Sequence, residues 1–335
     1  MPSAATSPPP PVPGRRGLRL GLIAVALVVA VLAAELLLRV FPPAILARAA
    51  TVSAATAAES PLHPRHGTYQ LDPELGFRPV LGGPLAGLHG CAPNEYASEK
   101  PPGVRRLLLV GDSVTQRGAI AAGLREVLGE EGIELWNGGV GGYATHQVER
   151  YYARYQAGLG ADHVVYTFHL NDFVSTPVVF LDGDKLVICK SPLATKTLRP
   201  WLFRWSYLFR WWLARNLAAD TAASPEARPE VVQEVEDALV ALRDEVEARG
   251  ARFTVLVFPW LRPLEKWPPH IAHAHAAVLG MLRAHGIAHF DLVDVLETAL
   301  TEGEVVQQFP RDVQHPSPAF GLRIARAIVE RGFRP

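Results

Sequence analysis

Cysteine is scarce: the chain of 335 residues has two, Cys91 and Cys189. Neither takes part in a zinc-type Cys/His spacing, and no metal site is predicted. Net charge is also lacking, because 33 Lys and Arg balance 33 Asp and Glu. No long run of like charge appears, so there is no electrostatic case for nucleic acid or a strongly acidic substrate. The phosphate-cradling pattern GxxxxGK[ST] is missing, as is any internal repeat, which removes P-loop nucleotide chemistry and solenoid architectures. What is present in quantity is apolar: 49% of residues are hydrophobic and 20% charged, enough for a sizeable buried core.

One apolar run stands out. After the Pro-rich "MPSAATSPPPPVPGRRG" and Arg19 comes Leu20 to Leu38, interrupted only by Glu35. As a helix it spans roughly 28 Å at about 1.5 Å per residue, enough to cross a bilayer core. Residues 1–16 read as a disordered cytoplasmic leader and 17–40 as a transmembrane anchor or a signal sequence. The arginines precede the run, so the positive-inside rule exports everything after it. A cleaved signal peptide is the competing reading, with Val31, Ala33 and Ala34 as small residues for a peptidase. Both place the main domain outside the cytoplasm, periplasmic, at the cell surface or secreted. In such an oxidising compartment Cys91 and Cys189 either pair or remain two separate buried thiols.

Residues 41–103 are rich in Ala, Pro and Gly and read as a stalk and an irregular lead-in. From 104 to 335 strands alternate with helices. "VRRLLLV", "IELWNGG", "HVVYTFHL", "RFTVLVF" and "IAHFDLV" are the strands, the longer ones being continuous apolar runs. Between them "AIAAGLREVLGEEG", "THQVERYYARYQAGLG", "PEVVQEVEDALVALRDEVEARG" and "PHIAHAHAAVLGMLRAHG" read as helices, and "SPAFGLRIARAIVERG" closes the chain with Ser317 as its cap. The expected fold is α/β, a three-layer α/β/α sandwich on a central parallel sheet. Ligands then sit beyond the carboxyl ends of the strands. An insertion over about 173–228 holds a hairpin turning at Asp182-Gly183-Asp184 and a Trp- and Arg-dense segment, 198–217. That segment reads as a membrane-interface helix, a lid, or an amphipathic helix docked on its own core.

Chemistry-bearing residues fall where strands end. Ser113 lies in "VGDSVT", Gly142 in "NGGVGGYATHQ", Asn171 in "HLND", and Asp312 and His315 in "PRDVQHPS". Alone, Ser113 reads first as a helix cap, the default for a serine after a strand, with a turn residue and a nucleophile as the other readings. A serine nucleophile needs a base, normally a histidine, whose tautomer a carboxylate fixes. Asp312 and His315 stand three residues apart and suit that pair. The backbone N–H of Ser113 and of Gly142, with the Asn171 amide, suit an oxyanion. His146, His169 and Asp112 lie beside these blocks as possible pocket residues. His273, His275, His285 and His289 show no ligand pattern.

The order GDS, Gly turn, ND, DxxHP resembles the SGNH hydrolases, or GDSL esterase/lipase family, over about residues 104–333. With the lead-in "LDPELGFRPV" and "PNEYASEKPPGVRRLLLVGDSVT", it looks like membrane-anchored bacterial members. The resemblance implies a flavodoxin-like fold, Ser113 as nucleophile, His315 as base, Asp312 as its partner, and Ser113, Gly142 and Asn171 as oxyanion donors. No cofactor is implied. The implied reaction is hydrolysis or transfer of an acyl ester, an acetyl foremost, on an extracytoplasmic carbohydrate or lipid. An O-acetyltransferase of a cell-envelope polysaccharide and a non-catalytic glycan-binding accessory protein are the alternatives. The third block departs from the family's Gly-x-Asn-Asp, since His169 stands at the glycine. Gly141 and Gly142 are adjacent, so either can be the donor.

Overall fold

The computed structural model describes residues 14–43, 69–129, 131–174, 178–182, 185–189, 199–221 and 228–335. The first element is a helix, Gly14–Val40 (α1), whose stretch Arg19–Val40 is long and apolar enough to cross a membrane. Its most apolar window buries no residue against the protein.

The lead-in is ordered where the sequence suggests irregularity. Tyr69–Asp72 (β1) pairs antiparallel with Gly76–Pro79 (β2). Asp72 Oδ1 accepts the N–H groups of Glu74 and Leu75, each at 3.0 Å, which tightens the turn. Gly76, at φ 77, closes it in the left-handed region. Leu75 and Phe77 are fully buried, so the hairpin is part of the main core. Strands of four residues are too short for an alternating pattern to show.

The domain then runs Arg105–Gly111 (β3), one turn Ser113–Gln116 (α2), Ala119–Leu128 (α3), Ile133–Asn137 (β4) and Thr145–Tyr151 (α4). His163–His169 (β5), a hairpin Val178–Asp182 (β6) and Lys185–Cys189 (β7), Pro200–Trp205 (α5), Tyr207–Thr221 (α6) and Pro229–Ala248 (α7) follow. Arg252–Phe258 (β8), Pro269–Ala284 (α8), His289–Asp291 (β9), Val293–Thr301 (α9) and Pro318–Glu330 (α10) complete it. Ser317 Oγ accepts the Phe320 N–H at 3.1 Å and caps α10. The main sheet is parallel throughout, in the order β4-β3-β5-β8-β9. All seven residues of β5 are buried, as are six of seven in β3, because helices cover both faces. The fold is a three-layer α/β/α sandwich.

This order is the flavodoxin-like one, in which the chain grows outward one way from β3 and then back the other. The crevice between the carboxyl ends of β3 and β5 is the switch point where such sheets bind ligands. On one face α3 and α10 cross closely because two glycines meet: a Cβ on Gly123 would lie 2.6 Å from the Gly321 carbonyl oxygen. On the other, α8 is tied to α7 through Arg243 and the His285 carbonyl at 2.9 Å, and through His285 and Glu236 at 2.7 Å.

The helix expected over "THQVERYYARYQAGLG" is α-helical only as α4. It continues as a π turn, Tyr152–Gln156, and a single 3₁₀ turn. The wider turn lets the Tyr151 hydroxyl and Gln156 Nε2 both donate to the Gly90 carbonyl, each at 3.1 Å. Cys91 is buried and free, so the pairing with Cys189 is not made. The turn residues Gly183 and Asp184 lie outside the described residues. The Trp-rich segment forms two helices, α5 and α6, and Phe203 and Leu213 bury with Phe180 in a small cluster of their own.

Candidate active site

β3 ends on Gly111 because nothing larger fits. A Cβ there would collide with Thr115 Oγ1 and lie 2.9 Å from the Thr167 carbonyl. The chain then turns sharply at Asp112, whose Oδ1 accepts the Val114 N–H at 2.8 Å. Asp112 is thus the N-cap of α2, and Ser113 is its first residue rather than its cap. Of the sequence's alternatives for Ser113, the helix cap is therefore removed.

The second block packs on the first. Asn137, at the end of β4, donates from Nδ2 to the Thr115 carbonyl at 2.8 Å and accepts the Gly139 N–H at 3.0 Å. Val140 donates to the Gly111 carbonyl at 2.9 Å. A Cβ on Gly139 would strike the Gln116 backbone nitrogen, so a glycine is required for this approach. Gly142 follows at φ 84. Among the described residues no backbone hydrogen bond takes up the N–H of Ser113 or of Gly142.

The third block closes β5. Asp172 Oδ2 accepts the His169 N–H at 3.1 Å and the Tyr166 hydroxyl at 2.9 Å, which sets the turn that carries Asn171. His169 is fully buried, stacked 6.2 Å from Trp260 and tilted against Phe258 at 5.8 Å. Burial lowers its pKa and keeps the ring neutral, opposed by the nearby Asp112 charge and by Asn171. His146 is buried in the first turn of α4.

The last loop reaches across from β9 and α9 to meet Ser113. His315 Nε2 lies 3.0 Å from Ser113 Oγ, and Nδ1 lies 2.8 Å from Asp312 Oδ2. The carboxylate accepts from Nδ1–H, which leaves the Nε2 lone pair to accept the Ser113 hydroxyl proton. Asp312 Oδ1 meanwhile accepts the N–H groups of Gln314 at 3.0 Å and His315 at 3.1 Å. Burial alone would raise the Asp312 pKa, but those two amides and the His315 ring outweigh it and hold the carboxyl below its ordinary range. His315 and Asp312 keep 13% and 16% of their side-chain exposure, so the pair is largely buried yet within reach of solvent.

Several supporting residues escape a sequence reading. Arg311 holds φ 69, rare for a residue with a side chain, in the turn closed by Asp312 N–H to the Phe309 carbonyl at 3.1 Å. Arg117 donates to Gln308 Oε1 at 3.1 Å and lies 5.6 Å over the Phe309 ring, tying the serine loop to the histidine loop. Gln116 donates to the Tyr69 hydroxyl at 2.9 Å, which brings the β1–β2 hairpin to the rim. None of these has a motif; their signal lies in contacts between distant segments. The histidines set aside in the sequence stay apart: His275 pairs with Asp291 at 3.0 Å, and His285 with Glu236.

No protein-family model matches the chain. No curated protein matches it in sequence. Among solved structures it is similar to an acetylxylan esterase from Geobacillus stearothermophilus, at 16% identity and a TM-score of 0.45, over 69% of this chain and 95% of that one. It is also similar to LAE5, an alpha/beta hydrolase enzyme from the metagenome of Lake Arreo, Spain, at 17% identity and a TM-score of 0.45, over 68% and 94%. At this identity and score neither likeness bears on activity.

Proposed function

We propose that this chain is a serine esterase of the SGNH type, acting on an acyl ester through an acyl-Ser113 intermediate. The observation that carries the reading is the hydrogen-bonded line from Ser113 through His315 to Asp312, at 3.0 and 2.8 Å. A hydroxyl, an imidazole and a carboxylate in that order are what acyl transfer requires. As Ser113 Oγ bonds to the ester carbonyl carbon, its proton passes to His315 Nε2. Asp312 stabilises the imidazolium that forms. The oxyanion is received by the N–H groups of Ser113 and Gly142 and by the Asn171 amide. The C–O bond to the alcohol then breaks, and His315 returns the proton to the departing oxygen. Water, deprotonated by the same ring, releases the acid and restores Ser113. The scheme calls on no metal or cofactor.

The resemblance to membrane-anchored family members favours an acetyl ester of an extracytoplasmic carbohydrate or lipid as substrate. We read α1 as a single-pass anchor with the N-terminus cytoplasmic, since Arg15, Arg16 and Arg19 precede the apolar run. A fluorophosphonate probe tests the central claim. The folded protein should be labelled, and Ser113→Ala should abolish labelling; an unlabelled but folded parent protein would refute the enzyme reading.

A further inference from the structure

α1 does not end in open solvent. Glu35 Oε1 accepts the Tyr207 N–H at 2.7 Å, while Oε2 accepts the Leu208 N–H and the Ser206 hydroxyl, each at 3.0 Å. The carboxylate therefore caps the N-terminus of α6, taking two donors that a helix start leaves unpaired. Arg39 bonds the same carboxylate at 3.0 Å and reaches the Trp205 carbonyl at 2.5 Å. Its guanidinium lies 5.3 Å over the Tyr207 ring. The one acidic residue that interrupts the apolar run is thus the joint between the anchor and the Trp-rich insertion.

Depth follows from length. Leu20–Ala34 is fifteen residues. As a helix that is roughly 22 Å, short of a hydrocarbon core of about 30 Å. Leu36–Leu38 must then contribute, which draws Glu35 to the edge of the hydrocarbon. A carboxylate at that depth is costly unless its oxygens are satisfied, and the four donors above satisfy them. The start of α6 and the end of α5 consequently lie at the same depth. Trp201 and Trp205 on α5 are 62% and 74% exposed, and Trp212 on α6 is 40% exposed. Indole rings have an apolar body and a polar N–H, which suits the headgroup boundary. Residues 199–216 include Arg199, Arg204, Arg210 and Arg215 and no acidic residue. That sign of charge complements anionic headgroups.

We propose that α5 and α6 form a collar seated in the headgroup region of the bilayer that α1 spans, with Trp201 and Trp205 inserted and anionic lipid favoured. This rests on the reading of α1 as an anchor. Because Phe203 and Leu213 of the collar pack on Phe180 of β6, the collar would also orient the hydrolase domain relative to the membrane.

The test uses the full chain, reconstituted into phosphatidylcholine vesicles with and without phosphatidylglycerol, whose acyl chains carry bromine near the headgroup. Tryptophan emission should be quenched, more so in the anionic vesicles, and Trp201→Phe/Trp205→Phe should lose most of that quenching. Circular dichroism and fluorophosphonate labelling should match the parent chain. If the double variant is quenched as strongly as the parent while both float with the vesicles, the collar is overturned and the anchor stands. If the parent chain does not float, the anchor reading fails and takes the collar with it. Equal quenching in neutral and anionic vesicles overturns the charge preference.

Discussion

Asp312 has two tasks, and they can be separated by substitution. One oxygen orients the His315 ring and the other gathers two backbone amides of the loop. Asp312→Asn can keep the second task, but its amide nitrogen would face Nδ1 and favour the wrong tautomer. Turnover of a chromogenic acetyl ester should fall on the order of 10⁴-fold with little change in thermal stability. His315→Ala should fall at least as far, since the members act as a unit; loss of less than tenfold in both would remove the pair from the mechanism. His163 is buried at the start of β5. It donates from Nδ1 to the Arg334 carbonyl at 3.2 Å and meets Thr254 Oγ1 at 2.8 Å. Burial first, then the Arg252 charge, lower its pKa from 6.5 to about 4. The unfolded chain therefore takes up this proton before the folded one does. Stability should fall as pH drops through the window from 6.5 toward 4, and His163→Gln should flatten that fall. Urea midpoints of the two proteins across this range provide the check.

Among the elements, the α3–α10 crossing is the most exacting. A Cβ on Gly321 would run into the Ala119 carbonyl, which is backbone and cannot swing aside. Gly321→Val should force the helices apart and cost about 3 kcal/mol, seen as a lower melting temperature. A variant as stable as the parent would show that the crossing can spread freely. The main strands are legible in sequence because burial on both faces writes an unbroken apolar run. The β1–β2 hairpin is not, since its strands are four residues long and its turn relies on Asp72. Nor is the π turn after α4, which is set by Gly90, a residue far back in the chain. Helix α9 is also absent from the sequence pattern, lying in a short segment between two stronger signals.

At the scale of the whole molecule, contacts run without a break from Glu35 of α1, through the start of α6, to Phe203, Leu213 and Phe180 of the insertion. In spheroplasts making the full chain, added protease should degrade the domain beyond residue 69 and spare an epitope placed at the N-terminus. Protection of the domain would reverse the orientation and with it any envelope substrate.

Local patterns suffice for some of this. The apolar run of α1, the α/β alternation and the four site blocks are short-range features, each written in a few adjacent residues by burial period or by the chemistry of a turn. The meeting of His315 with Ser113, 202 residues apart, is of another kind. It depends on strand order, on the switch point between β3 and β5, and on a last loop long enough to return across the sheet. The same holds for Glu35, which by sequence is a flaw in an apolar helix and by structure is the cap of another one. Contacts of that range are selected by how the buried faces pack together, and no local spacing records them.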